Sequence, residues 1–185
     1  YHELESAKQA AADYGAVEHR IMKVDMDAWG GSALTDHRLS IPQQASDDIP
    51  ITYVPARNTI MLSLALSWAE TIAASDIFYG ANQVDYANYP DCRTDYIAAF
   101  EKMANLGTKA GVEGRPFKIH APLVTMTKAE IIQKGVELGV DYAKTISCYD
   151  PDSQGRACRH CDACRFRRKG FKEANIEDVT RYQDE

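Results

Sequence analysis

Four cysteines near the end of the chain place the strongest constraint on how it can fold. They are Cys148, Cys158, Cys161 and Cys164, so that nine residues separate the first two and two residues separate each later pair. Thiolates at the Cys-x-x-Cys spacing can turn towards one ion, and structural zinc takes four such ligands in a tetrahedron. The pattern therefore predicts a structural Zn²⁺ site with no open coordination position. Such a site holds a loop in place and does not activate water.

Four cysteines at this spacing can also serve roles other than binding zinc. An iron–sulfur cluster takes similar ligands, and the spacing alone leaves it open. A disulfide framework is disfavoured because the chain shows no secretory signal pattern. We expect His160 to face outward, since four thiolates already complete the shell. The fifth cysteine, Cys92, lies far from the others in sequence and is not expected to be a ligand.

Helical and short strand-like segments alternate along the chain. The apolar spacing predicts helices over residues 4–14, 57–74, 94–109 and 127–139, and strands over 17–24, 76–80 and 118–123. The helix over 57–74 is apolar on nearly every side, so we expect it to be buried all round. The alternation indicates an α/β fold in which helices flank a parallel sheet. Ligands in such sheets bind beyond the carboxyl ends of the strands.

The chain is predicted to consist of two functional parts. Residues 1–146 are predicted to form a nucleotide- and substrate-binding α/β core. Residues 147–185 are predicted to form the zinc-binding loop and a C-terminal helix, packed on the same domain.

A polar segment over residues 82–93 follows the strand predicted at 76–80. It holds two acids, two tyrosines, two asparagines and an arginine, a set of side chains that can bind a heteroaromatic ligand. An ordinary polar loop remains the alternative. Arg57 and Asn58 open a helix, where they can bind a phosphate or simply cap the helix. Lys128 lies in the first turn of another helix, where it either meets an anion or is an exposed lysine.

Charge and hydropathy exclude some classes of function. A net charge of −6 argues against general nucleic-acid binding. Residues 148–172 are locally basic, with seven Lys or Arg against three Asp. That patch is either a solvated helix face or an anion-binding surface. No apolar stretch is long enough to span a bilayer, so a cytoplasmic location without membrane contact is expected.

Five short motifs stand in order along the chain: Val-Pro-Ala-Arg-Asn at 54–58, Tyr-Pro-Asp-Cys-Arg at 89–93, Ala-Pro-Leu at 121–123, Lys-Ala-Glu-Ile at 128–131, and Ser-Cys-Tyr at 147–149 with the three later cysteines. Together they resemble the 7-cyano-7-deazaguanine synthase (QueC) family of queuosine biosynthesis. The second motif and the cysteine quartet together are a specific combination. The resemblance covers essentially the whole chain.

The resemblance implies an adenine-nucleotide α-hydrolase-like fold and an ATP-dependent carbon–nitrogen ligase. Members of the family convert 7-carboxy-7-deazaguanine, ammonia and ATP into the nitrile, with Mg²⁺ accompanying ATP. The resemblance also allows a homodimer. By position in the motifs, it implies ATP-binding residues at Arg57, Asn58 and Lys128. The substrate-binding residues that it implies are Asp85, Tyr89, Asp91 and Arg93.

The chain departs from the family pattern in three places. It lacks the initial strand and the Ser-Gly-Gly-x-Asp-Ser phosphate loop, Tyr1-His2 joins two places that are separated in the family, and Ala56 replaces a glycine. Backbone N–H groups of such a loop hold the phosphates of ATP, so we expect the chain as given to bind ATP poorly and to be inactive alone. Two other functions stay open: a related tRNA-modifying ATP pyrophosphatase, and a non-enzymatic zinc-stabilised binding module.

Overall fold

The computed structural model describes residues 2–36, 38–42, 49–82 and 89–184. Over these ranges the regular elements are α1 (His2–Asp13), α2 (Arg57–Thr71), β1 (Asp76–Phe78), α3 (Thr94–Gly107), α4 (Lys109–Val112), β2 (Lys118–His120), α5 (Lys128–Glu137) and α6 (Asp162–Ala174). Short 3-10 helices cover Pro90–Cys92 and Tyr142–Lys144. No helix in the described ranges has the length and the apolar composition that a membrane crossing requires.

The two strands pair in parallel, which confirms the predicted α/β class with a parallel sheet. Asp76 pairs with Lys118, Ile77 with Ile119, and Phe78 with His120. Successive side chains of a strand point to opposite faces. The two isoleucines are buried on one face, while Phe78 and His120 stack on the other with ring centroids 4.5 Å apart.

The chain forms two compact units. The sheet unit contains Asp47–Ile49 and Val54–Thr127, and the cysteine unit contains Tyr1–Ser46, Pro50–Tyr53 and Lys128–Glu185. This division describes packing and does not test the functional boundary at residue 146, which stays a prediction.

The core of the sheet unit packs α2 and α3 with β1 and β2. Its buried side chains include Leu62, Leu66, Ile97, Phe100 and Phe117. Glu101 of α3 joins this helix to the neighbouring strand, since its carboxylate accepts the Ile119 N–H at 2.8 Å and the Lys118 ammonium at 3.1 Å.

In the cysteine unit, α5 packs against α6 at close range. A methyl group on Gly170 of α6 would lie 2.4 Å from Lys128 Cγ and 2.9 Å from Ile132 Cδ1. Arg167 of α6 is 8% exposed and donates to Thr145 Oγ1, Thr180 Oγ1 and the Tyr142 carbonyl. A buried guanidinium needs such partners, because leaving its donors unsatisfied would cost free energy. Arg167 therefore ties α6 to the segments on either side of it.

Helix ends agree with the glycine signals in the sequence. Gly15 follows the helix predicted over 4–14 and Gly139 ends the one predicted over 127–139, and they adopt φ of +68° and +78° just beyond α1 and α5. Glycine accepts this left-handed conformation without a steric penalty. The helix predicted over 94–109 ends at Gly107, and α4 follows it directly.

The strand predicted over residues 17–24 is wrong. The segment has no regular structure, and Val17, Ile21 and Met22 are exposed. Alternating apolar residues stabilise a strand only when a partner accepts its hydrogen bonds and covers one face. No such partner is present among the described residues.

The expectation that the helix over 57–74 is buried on every side is also wrong. Leu62, Leu66 and Ala69 of α2 are buried on one face, whereas Met61 is 57% exposed. Composition sets how apolar a helix is, but the number of elements packed around it sets how much of it is covered.

Candidate metal centre and substrate site

The four predicted cysteines converge in the cysteine unit. Cys148 precedes the loop over 149–157, Cys158 follows it, Cys161 is the residue before α6, and Cys164 lies in the first turn of α6. All four are buried, and their Sγ atoms lie within 4.8 Å of one another. The fold thus brings together sulfurs from the two ends of a loop and from a helix start.

Backbone geometry supports charged sulfurs at this site. Cys148 Sγ accepts N–H groups from Asp150 at 3.3 Å and from Cys158 at 3.2 Å, and Cys158 Sγ accepts the Cys161 N–H at 3.4 Å. Hydrogen bonds to a charged form favour that form. The loop therefore prepares these thiols to act as thiolate ligands.

Protonation of the cluster is shared between neighbouring thiols. A hydrogen bond with Cys161 raises the pKa of Cys148 to about 12; burial adds to this rise, and a hydrogen bond with Cys164 opposes it. Hydrogen bonds with Cys148 and Cys161 raise the pKa of Cys164. The hydrogen bonds that Cys161 makes with Cys148 and Cys164 lower the pKa of Cys161. Several thiolates so close together repel one another, and a divalent cation relieves that repulsion.

The donor set fits one tetrahedral ion. Four sulfurs about 2.3 Å from zinc lie roughly 3.8 Å apart, and the observed separations of at most 4.8 Å require only a small contraction. The sulfur cluster consists of these four cysteines, and His160, which is half-buried, stays outside it, as does Cys92. Four sulfur ligands complete the shell, so the centre suits a structural ion.

The loop between Cys148 and Cys158 is held by its own side chains. Asp152 Oδ1 accepts the N–H groups of Gln154 and Arg156, and the Arg156 guanidinium bonds Asp152 Oδ2 at 2.6 Å. Gly155 has a φ of +77°, a left-handed conformation that helps the loop to turn. These contacts shape the loop that joins Cys148 to Cys158.

The basic residues around the cluster are mostly occupied within the protein. Arg156 pairs with Asp152 and Asp184, Arg165 pairs with Asp162, and Arg167 is buried. Exposed ion pairs of this kind neutralise one another locally. The patch that the sequence suggested consequently presents less free positive charge than its composition indicates.

A second group of polar residues lies at the carboxyl ends of the two strands. Asn82, four residues beyond β1, is 6% exposed. Its side-chain amide donates to the carbonyls of Leu123 and Met126, which follow β2. Asn82 thus joins the two segments that leave the strands, at the edge where ligands bind in parallel sheets.

The predicted substrate residues take different positions in the sheet unit. Asp85 lies outside the described residues. Tyr89 is half-buried, Asp91 is 6% exposed, and Arg93 is exposed at the start of α3. Their predicted contacts with a ligand stay predictions.

The predicted ATP residues fall into both units. Arg57 is exposed at the start of α2, and Asn58 is half-buried beside it. The Asn58 backbone N–H donates to Asp91 Oδ2 at 3.2 Å, and its side-chain Nδ2 donates to Cys92 Sγ at 3.4 Å. Lys128 is half-buried at the start of α5, with its stem close to Gly170. Their grouping around ATP stays a prediction.

Sequence reasoning missed the connections that hold this region together. Asn82 was grouped with the polar segment, but nothing in the sequence indicated its bonds to residues 41 and 44 positions away. Tyr79, whose hydroxyl donates to the Asp91 carbonyl at 2.8 Å, was not singled out at all. Only a folded backbone places such distant partners within reach.

These features define an α/β protein with polar residues at the carboxyl ends of a parallel sheet and a four-cysteine centre positioned to bind a metal. The family model described as "Queuosine biosynthesis protein QueC" matches residues 1–175. The chain belongs to this family, as the motifs of the sequence predicted.

Curated relatives agree with this assignment. The chain is 61% identical over 183 residues to the 7-cyano-7-deazaguanine synthase of Cupriavidus pinatubonensis, which covers 98% of the chain and 81% of the relative. It is 62% identical over 182 residues to the synthase of the same name from Cupriavidus metallidurans, covering 98% and 80%. The identity to the synthase of Pseudomonas putida is 57% over 180 residues, covering 97% and 80%.

Proposed function

We propose that this protein makes 7-cyano-7-deazaguanine from 7-carboxy-7-deazaguanine and ammonia at the expense of ATP, as a step of queuosine biosynthesis. The observation that carries the proposal is the identity of about 60% to synthases of that name over nearly the whole chain. The matched length includes the Tyr-Pro-Asp-Cys-Arg motif and the cysteine quartet.

The chemistry explains why such an enzyme needs ATP. Conversion of a carboxylic acid and ammonia into a nitrile releases two molecules of water, which is unfavourable in aqueous solution. ATP first activates the carboxylate, ammonia then gives the amide, and a second activation permits loss of the remaining water. Preorganised cations stabilise the phosphate charge in such steps.

We assign the ligands to residues on this basis. Tyr89, Arg93 and Asp85 would bind the deazaguanine, while Arg57, Asn58 and Lys128 would bind the phosphates of ATP together with Mg²⁺. The exposed guanidinium groups of Arg57 and Arg93 support these roles. Among the described residues, neither makes an ion pair or a side-chain hydrogen bond, so both are available for an anion.

We infer that the ion held by the four cysteines is Zn²⁺ and that its role is structural. The all-sulfur set, with its Sγ atoms within 4.8 Å of one another, supports zinc. An iron–sulfur cluster uses the same ligands, and elemental analysis with an absorption spectrum separates the two. The five cysteines are free thiols, and a reducing compartment such as the cytoplasm would keep them so.

The test is direct formation of the nitrile. The full-length protein is incubated with 7-carboxy-7-deazaguanine, ATP, Mg²⁺ and isotopically labelled ammonium, and the products are followed by mass spectrometry. We expect labelled 7-cyano-7-deazaguanine, preceded by the labelled amide, and neither product when ATP or ammonium is left out. If neither product forms in the complete mixture, the proposed enzyme function is contradicted and the non-enzymatic binding module is favoured.

The tRNA-modifying alternative loses its main support in the structure. It depended on the basic residues near the cysteines, and several of these are paired with Asp152, Asp162 and Asp184. A tRNA gel shift that weakens with added salt would restore it.

A further inference from the structure

The start of α2 lacks a local cap. The preceding residue, Ala56, adopts a left-handed φ of 54° and has no side-chain oxygen, and the first turn of the helix contains no acid. The first N–H groups of a helix have no partner inside it. They must find acceptors elsewhere, and Ser, Thr, Asp or Asn usually provides one.

Asp91 provides that acceptor from 33 residues away. Its Oδ2 accepts the Asn58 N–H at 3.2 Å. Asp91 is only 6% exposed, so its side of this partly buried contact is shielded from water. A negative charge beside a helix N-terminus is also favourable.

Two further hydrogen bonds strengthen this contact between the turn at residues 89–93 and the start of α2, which we call the joint. The Tyr79 hydroxyl donates to the Asp91 carbonyl at 2.8 Å, and Asn58 Nδ2 donates to Cys92 Sγ at 3.4 Å. Burial, followed by the nearby Cys92, raises the pKa of Tyr79, so this hydroxyl keeps its proton and remains a donor. The turn at 89–93 is thus held against the start of α2 by both the side chain and the backbone of Asp91.

The joint sets the positions of the side chains proposed to bind ligands. Tyr89 and Arg93 lie two residues before and after Asp91, and Arg57 directly precedes Asn58. A side chain that leaves the turn at residue 93 and one that leaves the helix at residue 57 therefore keep a fixed spacing only while the joint is closed.

We propose that Asp91 is a positioning residue, which caps α2 and thereby holds Tyr89 and Arg93 in place. Its charge does not take part in recognising the substrate. The proposal rests on the proposed function for its catalytic consequence. The cap itself is independent of that function. It replaces the direct contact with the substrate that the sequence predicted for Asp91.

Two substitutions separate the roles. Asp91→Asn keeps an oxygen that can accept the Asn58 N–H, while Asp91→Ala removes it, and both remove the charge. Two quantities are measured for both variants of the full-length protein. They are the steady-state kinetics with 7-carboxy-7-deazaguanine and the rate of hydrogen exchange at the backbone N–H of Asn58. Asp141→Ala is the matched control, because Asp141 caps the unrelated 3-10 helix at Tyr142–Lys144 through the Ala143 N–H.

We expect Asp91→Ala to speed exchange at Asn58 at least tenfold and to lower kcat/KM at least tenfold, mainly through a higher KM. Asp91→Asn should keep kcat/KM within about fivefold of the wild type and retain most of the protection. Equal losses of activity in both variants, with Asn58 still protected in Asp91→Asn, would overturn the proposal by showing that the carboxylate charge acts on the ligand.

The exchange measurement decides on the cap even without catalysis. Unchanged protection of Asn58 in Asp91→Ala would also overturn the proposal. If the wild type forms no nitrile, the proposed function fails, and the exchange data still report whether Asp91 caps α2. If Asp91→Ala does not fold, retained exchange protection and activity in Asp91→Asn support positioning, and loss of activity with intact protection contradicts it.

Discussion

At the scale of single residues, the thiol that matters most is Cys161, which is fully buried and directly precedes α6. We expect Cys161→Ser to release the metal and to destabilise the protein. Binding free energy at a structural zinc site is on the order of 10 kcal/mol at neutral pH, which is comparable with the whole stability of a domain, about 5–15 kcal/mol. Metal content by elemental analysis and the thermal midpoint check this prediction.

Cys92→Ser is the control for that experiment. Cys92 is also buried and thiol-bearing, but it lies in the sheet unit and outside the cluster. This variant should keep its full metal content even if its stability falls. A Cys161→Ser protein that retains one metal per chain would show that three sulfurs suffice.

The residues differ in how far sequence could predict their roles. The cysteines were predicted correctly as a cluster, because their spacing itself encodes the geometry of a tetrahedral site. The joint at Asn58 and Asp91 was not, because each residue type has several ordinary uses and their contact spans 33 positions. Side-chain partners at that separation depend on the path of the backbone.

At the scale of secondary-structure elements, the close approach of α5 and α6 depends on Gly170. Replacing glycine with alanine inside a helix normally stabilises it by up to about 1 kcal/mol. In Gly170→Ala the added methyl would meet Lys128 Cγ at 2.4 Å and Ile132 Cδ1 at 2.9 Å. Overpacking of this kind costs about 1–3 kcal/mol, so we expect a net loss of stability in denaturant unfolding.

Gly107→Ala, at the end of α3, is the matched control for Gly170→Ala. Gly107 is also helical, and its nearest neighbour for an added methyl is Met103 Sδ at 3.9 Å, an ordinary contact. This variant should be neutral or slightly more stable than the wild type. Equal effects of the two substitutions would mean that α5 and α6 separate easily.

The link between α3 and β2 should depend on pH. A hydrogen bond from the Ile119 N–H, and then the contacts with Lys118, lower the pKa of Glu101 below its ordinary value of 4.5. A carboxyl group with a lowered folded-state pKa stabilises the fold above its unfolded pKa, and the effect is lost as the pH falls through the folded value. We expect Glu101→Gln to be less stable than the wild type near neutral pH, with the difference shrinking below pH 4.5.

Unfolding by denaturant at several pH values measures this difference. Glu137→Gln is the control, because Glu137 is exposed and, among the described residues, pairs only within its own helix, with Lys134. Its effect should be small at every pH. If the difference in the free energy of unfolding between Glu101→Gln and the wild type stayed constant from neutral to acid pH, the carboxylate charge would not be its cause.

Elements differed in how well sequence predicted them, and the physical reason is tertiary contact. The helices and both observed strands lie close to their predicted positions, because apolar spacing and the glycines at 15 and 139 are local signals. The segment over 17–24 carries an equally good alternation and remains irregular. Alternation predicts which residues would share a face, and only a neighbouring strand turns that into structure.

At the scale of the whole molecule, the division into two compact units has a consequence for unfolding. The metal cluster and the α5–α6 contact belong to the cysteine unit, whereas β1, β2 and α3 belong to the sheet unit with a separate buried core. Sequence predicted the α/β class and the four-cysteine cluster, but it could not show that residues 1–46, 50–53 and 128–185 contribute to one unit. That grouping depends on contacts between distant parts of the chain.

We expect a zinc chelator to loosen the cysteine unit selectively. Without the ion, the buried thiols lose the charge that holds them together, and α6 loses the anchor at its first turn. Local opening in proteins follows such cooperative units. Hydrogen exchange should therefore accelerate by at least tenfold at the amides of α6 after chelation, while the amides of β2 and of the middle of α3 keep their protection. Re-addition of zinc should restore the slow exchange. Equal acceleration in α6 and β2 would contradict this expectation, because it would mean that the two units open as one and that the metal stabilises the sheet as much as its own loop.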